Sequence, residues 1–364
     1  MEKSLYKDPG FWAMIALGLV ATFGLPVWYG LFEIMQITQY VVLGVFALSL
    51  AYIWGFGGIL SFGQSAFFGL GGYVFAVAAI NMGDTTVPLI LSFAIPALFG
   101  AGLGYFMFYG RLSDVYLGVV TLVVTLIFWK LINHTAGPEY AIGAARLGGF
   151  NGIPSIPILN VPGDADADLM PGAMFQVFMV ILMVVYVGLR LINASDFGRV
   201  SVSIRENETR ASLLGYDVRR HKVVVFALGS GIAGLAGAMW ATYQTFIDPN
   251  AFSLEMSAKA LIWVMAGGVG TLAGPLVAVI ALQWLSLKLG EINLINNFVI
   301  LGTILILLVL VLPKGLLPSL QMWIERLVTM MRRQRDGEQV MRVRPDPALA
   351  PRRDDRGASP TPAE

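Results

Sequence analysis

The stretch VVVFALGSGIAGLAGAMWA, Val223 to Ala241, decides which class of fold this chain can adopt. Its centre, GSGIAG, matches G-x-G-x-x-G, which after a β-strand is typical of a dinucleotide-binding turn. Such a turn needs a water-covered βαβ unit and a later acidic residue. Here the run 223–247 is uncharged, and the first acidic residue, Asp248, precedes a proline. The small residues recur at four-residue spacing, which lets membrane helices approach closely. We therefore interpret the stretch as a packed membrane helix.

The composition of the whole chain also predicts a membrane protein. Of its 364 residues, 57% are hydrophobic and 13% are charged, whereas a soluble domain carries about 25% charged residues. The net charge of +1 gives no sign of a nucleic-acid partner. The absence of cysteine excludes disulfides, iron–sulfur clusters and thiolate zinc sites. Membrane lipid is the expected surrounding, and we expect neither a cofactor nor a metal.

Charge-free runs predict where the chain crosses the bilayer, because a membrane helix needs about 20 apolar residues. The runs are 9–32, 34–83, 85–110, 115–129, 169–189, 223–247, 260–287 and 292–313. They predict an all-α, polytopic membrane helix bundle of about 8–10 spans. The first six spans are expected near 11–31, 34–54, 58–82, 86–110, 114–132 and 172–192. The first run is longer than a signal-peptide core and lacks a small-residue cleavage site, so a retained helix is expected.

The distribution of Lys and Arg predicts which loops face the cytoplasm, because short basic loops are retained there. Of 24 such residues, seven lie in 190–222 and ten in 314–364, whereas the loop 133–171 has one. We therefore expect loop 193–222 and both termini inside the cell and loop 133–171 outside. Residues 1–318 are expected to form the membrane domain, and 319–364 a mostly disordered cytoplasmic tail.

The last third of the chain is less regular. Spans are expected near 223–246 and 293–313, while 257–290 must enter and leave on one side or divide into two crossings. The glycines and Pro275 at its centre predict a broken or re-entrant element there.

Two glycine-rich elements, WGFGGILSFGQSAFFGLGGY (54–73) and GGVGTLAGP (267–275), occupy matching places in the first and last parts of the membrane region. Each has a Gly-Gly pair followed by a hydroxyl residue, and together they form a faint internal repeat. Interrupted segments in two halves of a transporter indicate a translocation pathway, although close helix packing is an equally good explanation. The candidate pathway residues are Gly57, Gly58, Ser61, Gln64, Gly267, Gly268 and Thr271.

The polar loop SDFGRVSVSIRENETRASLLGYDV, 195–218, is the most informative hydrophilic segment. Asn207 is a suitable N-cap, Glu208 suits the positive end of a helix, and Gly215 suits the position just past a helix end. A short helix that presents Ala211, Leu213 and Leu214 is therefore expected, with an ordinary solvated loop as the alternative.

Four ordered motifs resemble a known family: GGILSFGQSAFFGLGGY, FGRVSVSIRENETRASLLGYDV, AGLAGAMWA and GGVGTLAGP. The chain resembles permease subunits of the branched-chain amino acid family of ABC importers, of the LivM type, with urea-transporting relatives close by. The likeness covers roughly residues 40–318. It implies a second, related permease, two cytoplasmic ATPases and an extracytoplasmic binding protein in the bacterial inner membrane.

The resemblance also implies that Ser203 to Gly215 forms the short helix that docks on the ATPase. The coupling residues carried over are Arg205, Glu206, Asn207, Glu208, Arg210, Leu214 and Gly215. The transported solute is expected to be a branched-chain amino acid, with urea or a short-chain amide as the alternative within the family.

Other functional classes fit the residues less well. Ion-coupled carriers and channels usually keep ionisable residues inside the membrane, whereas the charges here lie at the ends of the apolar runs. An intramembrane enzyme would need a nucleophile and a base or metal ligands, and the only two histidines lie in or beside loops. The chain has no Walker A motif, so ATP hydrolysis is assigned to another polypeptide, and no enzymatic activity is expected.

Overall fold

In the described part of the chain, six of the uncharged runs form seven helices that are long enough to cross a membrane, because the run 34–83 supplies two of them. In this computed structural model, residues 9–291, Gly302, Gly315 and Ser319 are described. The seven helices are α1 (Pro9–Trp28), α2 (Leu31–Gly55), α3 (Gln64–Met82), α4 (Thr86–Tyr109), α5 (Asp114–Asn133), α6 (Pro171–Ala194) and α9 (Val218–Gln244). Four more helices are α7 (Asp196–Glu206), α8 (Glu208–Leu213), α10 (Leu254–Gly267) and α11 (Ala273–Glu291). The predicted all-α membrane bundle is confirmed.

The chain divides by its contacts into Met1–Pro318 and Ser319–Glu364. The expected span 293–313 and the expected tail 319–364 lie outside the described residues, apart from Gly302 and Ser319, and so does the N-terminal end before residue 9.

Helix α9 lies at the centre of the bundle and packs against α2, α3 and α4. The stretch that matched the dinucleotide pattern is one continuous, mostly buried helix. A methyl group at Gly71 of α3 would lie 2.2 Å from Gly234 Cα, and one at Gly237 would lie 1.8 Å from the carbonyl oxygen of Phe68. The interpretation of these glycines as packing residues is confirmed, because the backbones approach too closely for any side chain.

The bundle has two ends that differ in structure. Helices α7 and α8 lie at one end, called here the α7–α8 end. At the opposite end, called the strand end, lie β1 (Ala141–Ile142), β2 (Ala145–Arg146), β3 (Ile153–Pro154), β4 (Asn160–Val161), β5 (Asp164–Asp168) and β6 (Phe246–Ile247). The antiparallel pairs are β1–β2, β3–β6 and β4–β5.

A polar network attaches the β4 strand to the turn between α3 and α4. Asn160 accepts a hydrogen bond from the amide of Thr85 at 2.9 Å, and the Thr85 hydroxyl accepts one from the Asn160 amide at 3.0 Å. The amide of Thr86 donates to Asp84 and holds the pKa of that carboxyl below its usual value. The loop at the strand end is thus held against the membrane helices.

Two predictions about helix ends were tested by the structure. The expected span 58–82 is wrong at its start, because residues 56–63 are not helical and α3 begins only at Gln64. The expected break within 257–290 is confirmed, because α10 ends at Gly267 and α11 begins at Ala273. Both departures from helix occur where glycines cluster, since glycine costs about 1 kcal/mol relative to alanine inside a helix.

Candidate functional site

Local capping shapes the polar segment that follows α6. Ser195 accepts the amide of Gly198 at the start of α7, and Asn207 accepts the amide of Arg210 at 2.8 Å at the start of α8. Gly215 has a φ of +89°, a conformation that favours glycine just past a helix end. The predictions that Asn207 is an N-cap and that Gly215 lies just past a helix end are confirmed. The prediction of one helix over Ser203–Gly215 is wrong, because Asn207 takes an extended conformation and separates α7 from α8.

Helices α7 and α8 together form an elbow, residues 195–215, which shares a small core with the start of α9. Ile204 and Ala211 of the elbow are buried there with Val218, the first residue of α9. Lys222 on α9 forms an ion pair of 2.5 Å with Glu208 on α8. The elbow is thus a folded element held to the start of α9.

The outer face of the elbow is apolar at its tip and charged beside it. Leu213 is 83% exposed and Leu214 is 67% exposed, and the Glu206 side chain is 67% exposed. The expectation that α8 presents Ala211 is wrong, because Ala211 faces the elbow core. Its two leucines form the exposed apolar surface of the elbow.

Two glycine breaks in the membrane helices lie beside the elbow. The first break, residues 56–63, joins α2 to α3, and Gly58 there has a φ of +69°. The second break, residues 268–272, joins α10 to α11, and Gly268 and Gly270 have φ values of +110° and +91°. These left-handed conformations favour glycine, so both breaks depend on that residue type.

Arg205 of the elbow lies where the two breaks meet. Its guanidinium donates a hydrogen bond to the carbonyl oxygen of Gly55, at the end of α2. A methyl group at Gly58 would lie 2.8 Å from Arg205 Cγ, one at Gly270 would lie 3.4 Å from a guanidinium nitrogen, and one at Gly55 would lie 2.8 Å from the amide nitrogen of Gly270. The candidate coupling residue Arg205 therefore bonds to the end of α2 and lies close to both of the glycine elements that the sequence singled out.

The first break leads from the elbow into the interior of the bundle. Gln64, at its inner end, is fully buried and donates to Ser49 Oγ at 2.9 Å. Ser49 precedes Gly55 by six residues, which is about 9 Å along α2. Non-helical backbone at such a depth is tolerated only where protein encloses it or it lines a cavity. Gly57, Ile59, Ser61 and Gly63 are all buried.

Three buried polar atoms lie around this break and have no hydrogen-bond partner in the described part of the chain. They are Tyr52 Oη, Ser61 Oγ and Gln64 Oε1. Unpaired polar atoms are uncommon in protein interiors and call for an explanation, a function among them. By contrast, the Thr271 hydroxyl donates to the carbonyl oxygen of Gly268 at 2.8 Å and closes the second break. The structure therefore leaves Ser61 and Gln64 with free capacity, while Thr271 uses its hydroxyl locally.

Three further residues complete this region, and no sequence pattern marks them. Ser49, Gly55 and Gly270 contact Gln64 or Arg205, yet each lies in an apolar or glycine-rich stretch without a distinguishing pattern. The remaining candidates, Glu206, Asn207, Glu208, Arg210, Leu214 and Gly215, all lie on the elbow. Across residues 9–291, no group of His, Asp and Glu side chains is arranged to hold a metal ion.

Comparison with known proteins identifies the family. The sequence profile of the family described as "Branched-chain amino acid transport system / permease component" matches residues 33–312. The permease protein LivM of the high-affinity branched-chain amino acid transport system of Escherichia coli is 28% identical, over 79% of this chain and 70% of that protein. A probable branched-chain amino acid transport permease protein LivM of Methanocaldococcus jannaschii is 24% identical, over 80% and 92%.

More distant similarity extends to sugar permeases. The L-arabinose ABC transporter permease protein AraH of Azospirillum brasilense is 33% identical over 33% of this chain and 38% of that protein. No solved structure matches the chain significantly. The profile covers most of the chain and includes both glycine breaks and the elbow. The protein is thus an integral membrane component, and it belongs to the family of permease components of branched-chain amino acid ABC transport systems.

Proposed function

We propose that this permease carries branched-chain amino acids across the inner membrane as one of two related permease subunits. Two cytoplasmic ATPases would supply the energy, an extracytoplasmic binding protein would deliver the solute, and membrane lipid would surround the bundle. The position of Arg205 beside both glycine breaks carries this proposal, because Arg205 links the elbow, the candidate docking surface for the ATPase, to the candidate pathway. Leucine-type solutes are proposed because the named LivM relatives serve such systems.

The proposed orientation places the α7–α8 end and both termini in the cytoplasm. Seven Lys and Arg residues in 190–222 support it, since short basic loops are retained inside. The loop 133–171, with four acidic residues and one Arg, would then face outward. In this orientation the binding protein meets the strand end, and the ATPases meet the elbow.

The coupling step we propose is mechanical. Leu213 and Leu214 would enter an apolar cleft of the ATPase, with Glu206 and Arg210 at its charged rim. Closure of the two ATPases on ATP would push the elbow, and Arg205 would transmit the movement to the ends of α2 and α10. The glycines at both breaks allow large changes in φ and ψ, which suits a hinge.

The pathway we propose follows the first glycine break into the bundle. Ser61 and Gln64 would offer hydrogen bonds to a small polar solute, and backbone groups near Gly57, Gly58, Gly267 and Gly268 would add to them. We expect such binding to be weak, so that most of the selectivity would belong to the binding protein.

Reconstitution of the complete transporter in liposomes tests the function. We expect uptake of radiolabelled L-leucine. This uptake should depend on the binding protein and on ATP supplied at the membrane face that corresponds to the cytoplasm. Uptake by the permease alone, driven by an ion gradient, would assign the protein to the ion-coupled carriers instead. ATP-dependent uptake of urea without any uptake of leucine would assign it to the urea-transporting branch.

The pathway residues are tested in the same liposomes with Gln64→Ala and Thr271→Val. We expect Gln64→Ala to lower leucine uptake about tenfold, because it removes the buried bond to Ser49 and the free carbonyl, together worth roughly 1–2 kcal/mol. Thr271→Val is expected to have a smaller effect, since its hydroxyl only closes the second break. Unchanged uptake in both variants would exclude this route. The control is Thr86→Val at the strand end, which makes the same Thr-to-Val change away from the proposed pathway.

A further inference from the structure

A second polar region lies away from the elbow and glycine breaks. A pocket of about 200 Å³ opens between α2, α3, α9, α10 and α11. This volume is several times the roughly 30 Å³ that one water molecule occupies in the liquid, so the pocket has room for a small solute. No residue singled out from the sequence as a pathway residue lines it.

The pocket brings both signs of charge together. Lys259 on α10 lines it, as do Glu255 on the same helix and Asp248 in the turn before it. Lys259 and Glu255 form an ion pair of 2.7 Å, with side chains 39% and 50% exposed. An ammonium group has three N–H donors, so this pair leaves two of them for another acceptor.

Asp248 is held in place by its own neighbours. It accepts hydrogen bonds from the backbone amide of Asn250 at 3.2 Å and from the Asn250 side chain at 2.7 Å. A carboxylate can accept about four hydrogen bonds, so its position is set while part of its accepting capacity stays available. The pocket therefore presents a fixed anion and a cation with spare donors.

Two amides and two indoles complete the walls. Gln39 and Gln283 line the pocket from α2 and α11, well inside those helices, and neither side chain has a hydrogen-bond partner among the described residues. Trp240 and Trp263 supply apolar surface beside the charges. Polar groups within membrane helices are costly and usually serve a function.

We propose that this pocket binds a zwitterionic amino acid on its way to the glycine breaks. Lys259 would receive the α-carboxylate, Asp248 with Glu255 would receive the α-ammonium, and the indoles would contact an apolar side chain. This inference rests on the proposed function and deepens it, because a site with paired opposite charges fits an amino acid, whereas uncharged urea would need only amides.

A structural role for the ion pair is the alternative. Glu255 and Lys259 lie four residues apart on α10, a spacing at which a pair of opposite charges stabilises a helix modestly. Exchanging the two residues, Glu255→Lys with Lys259→Glu, retains the ion pair but moves the ammonium group. A structural role therefore predicts that the exchange behaves like the wild type, and a binding role predicts that it does not.

The experiment measures equilibrium binding of radiolabelled L-leucine to the complete transporter in lipid nanodiscs, without the binding protein. The competitors are 4-methylpentanoate, which has only the carboxylate, 3-methylbutylamine, which has only the ammonium, and urea. We expect leucine to bind, each singly charged analogue to compete at least tenfold more weakly, and urea not to compete.

Variants then assign each charge to its partner. Lys259→Gln should weaken leucine at least tenfold and abolish competition by 4-methylpentanoate while leaving the amine unaffected. Asp248→Asn should also weaken leucine binding, but it should abolish competition by 3-methylbutylamine and leave competition by 4-methylpentanoate unaffected. Lys130→Gln, an exposed lysine at the end of α5, is the matched control and should bind leucine as the wild type does. The exchanged pair should not restore binding.

Three results would overturn the proposal: no leucine binding to the wild type, equal competition by urea, or wild-type binding by Lys259→Gln or by the exchanged pair. Uptake of leucine in liposomes from the same preparation separates this failure from that of the proposed function. Leucine uptake without leucine binding overturns the pocket alone, whereas loss of leucine uptake in the wild type overturns the function itself.

Discussion

Arg205→Gln is expected to reduce ATP-dependent leucine uptake about 10- to 100-fold while the ATPases continue to hydrolyse ATP. The substitution removes the charge-assisted bond to the Gly55 carbonyl, and bonds of this kind are worth about 1.5–3 kcal/mol. A factor of ten corresponds to about 1.4 kcal/mol. Uptake and phosphate release measured side by side in the reconstituted transporter give the ratio of transport to hydrolysis, which is the quantity expected to fall.

The control for Arg205 is Arg199→Gln, on the same helix. Arg199 forms an exposed pair with Asp196, and such surface pairs contribute about 0–1 kcal/mol. Its coupling ratio should therefore stay within about twofold of the wild type. Arg205→Lys should fall between the two, because it keeps the charge and loses the planar, multi-donor geometry of the guanidinium. A wild-type ratio in Arg205→Gln would contradict the role we assign to this side chain.

Leu214→Asp is the second variant with a large expected effect, and uptake should fall below a tenth of the wild-type rate. In the permease Leu214 is 67% exposed, so the loss would arise at the contact with the ATPase. Burying an unpaired carboxylate in an apolar cleft costs several kcal/mol. Co-purification of the ATPases with the permease measures whether the two still bind. The uptake rate measures whether the bound ATPases still drive transport. Glu206→Lys, which inverts a charge beside the same surface, should uncouple in the same direction.

Leu214→Met is the matched control, since hydrophobic replacements of similar volume are tolerated best. The thermal unfolding midpoint of the isolated permease should be unchanged in both Leu214 variants, because little buried surface is removed. A lowered midpoint in Leu214→Asp would mean that the residue stabilises the elbow itself. Normal coupled uptake in Leu214→Asp would exclude the elbow tip as the docking surface.

Much of the membrane architecture was predictable because hydropathy acts locally. The uncharged runs 85–110 and 169–189 correspond closely to α4 and α6, since an apolar segment of that length has no alternative to a helix in lipid. The start of α3 was not predictable in this way. Residues 56–63 are as apolar as a helix, and hydropathy does not distinguish helical from extended backbone within an apolar run.

The caps of the elbow were predictable for the same local reason. Asn207 caps a helix through a backbone amide three residues away, and Gly215 needs only its own φ of +89°, so the residue type at each position is sufficient evidence. The direction of Ala211 was not predictable, because its burial depends on Ile204 and Val218 across the elbow. A short helix that carries small and large apolar residues on several sides does not show from its sequence which of them will be buried.

Short-range chemistry in the chain accounts for the membrane class, the broken helix near Gly267, the capped elbow and the rejection of a nucleotide fold. The meeting of Arg205 with Gly55, 150 residues earlier in the chain, and the gathering of Lys259, Asp248 and Gln39 around one pocket come from packing. Contacts of that range depend on which helices lie side by side. That arrangement follows from the close approach of many backbones at once, as at Gly71 and Gly234, and no single stretch of residues encodes it.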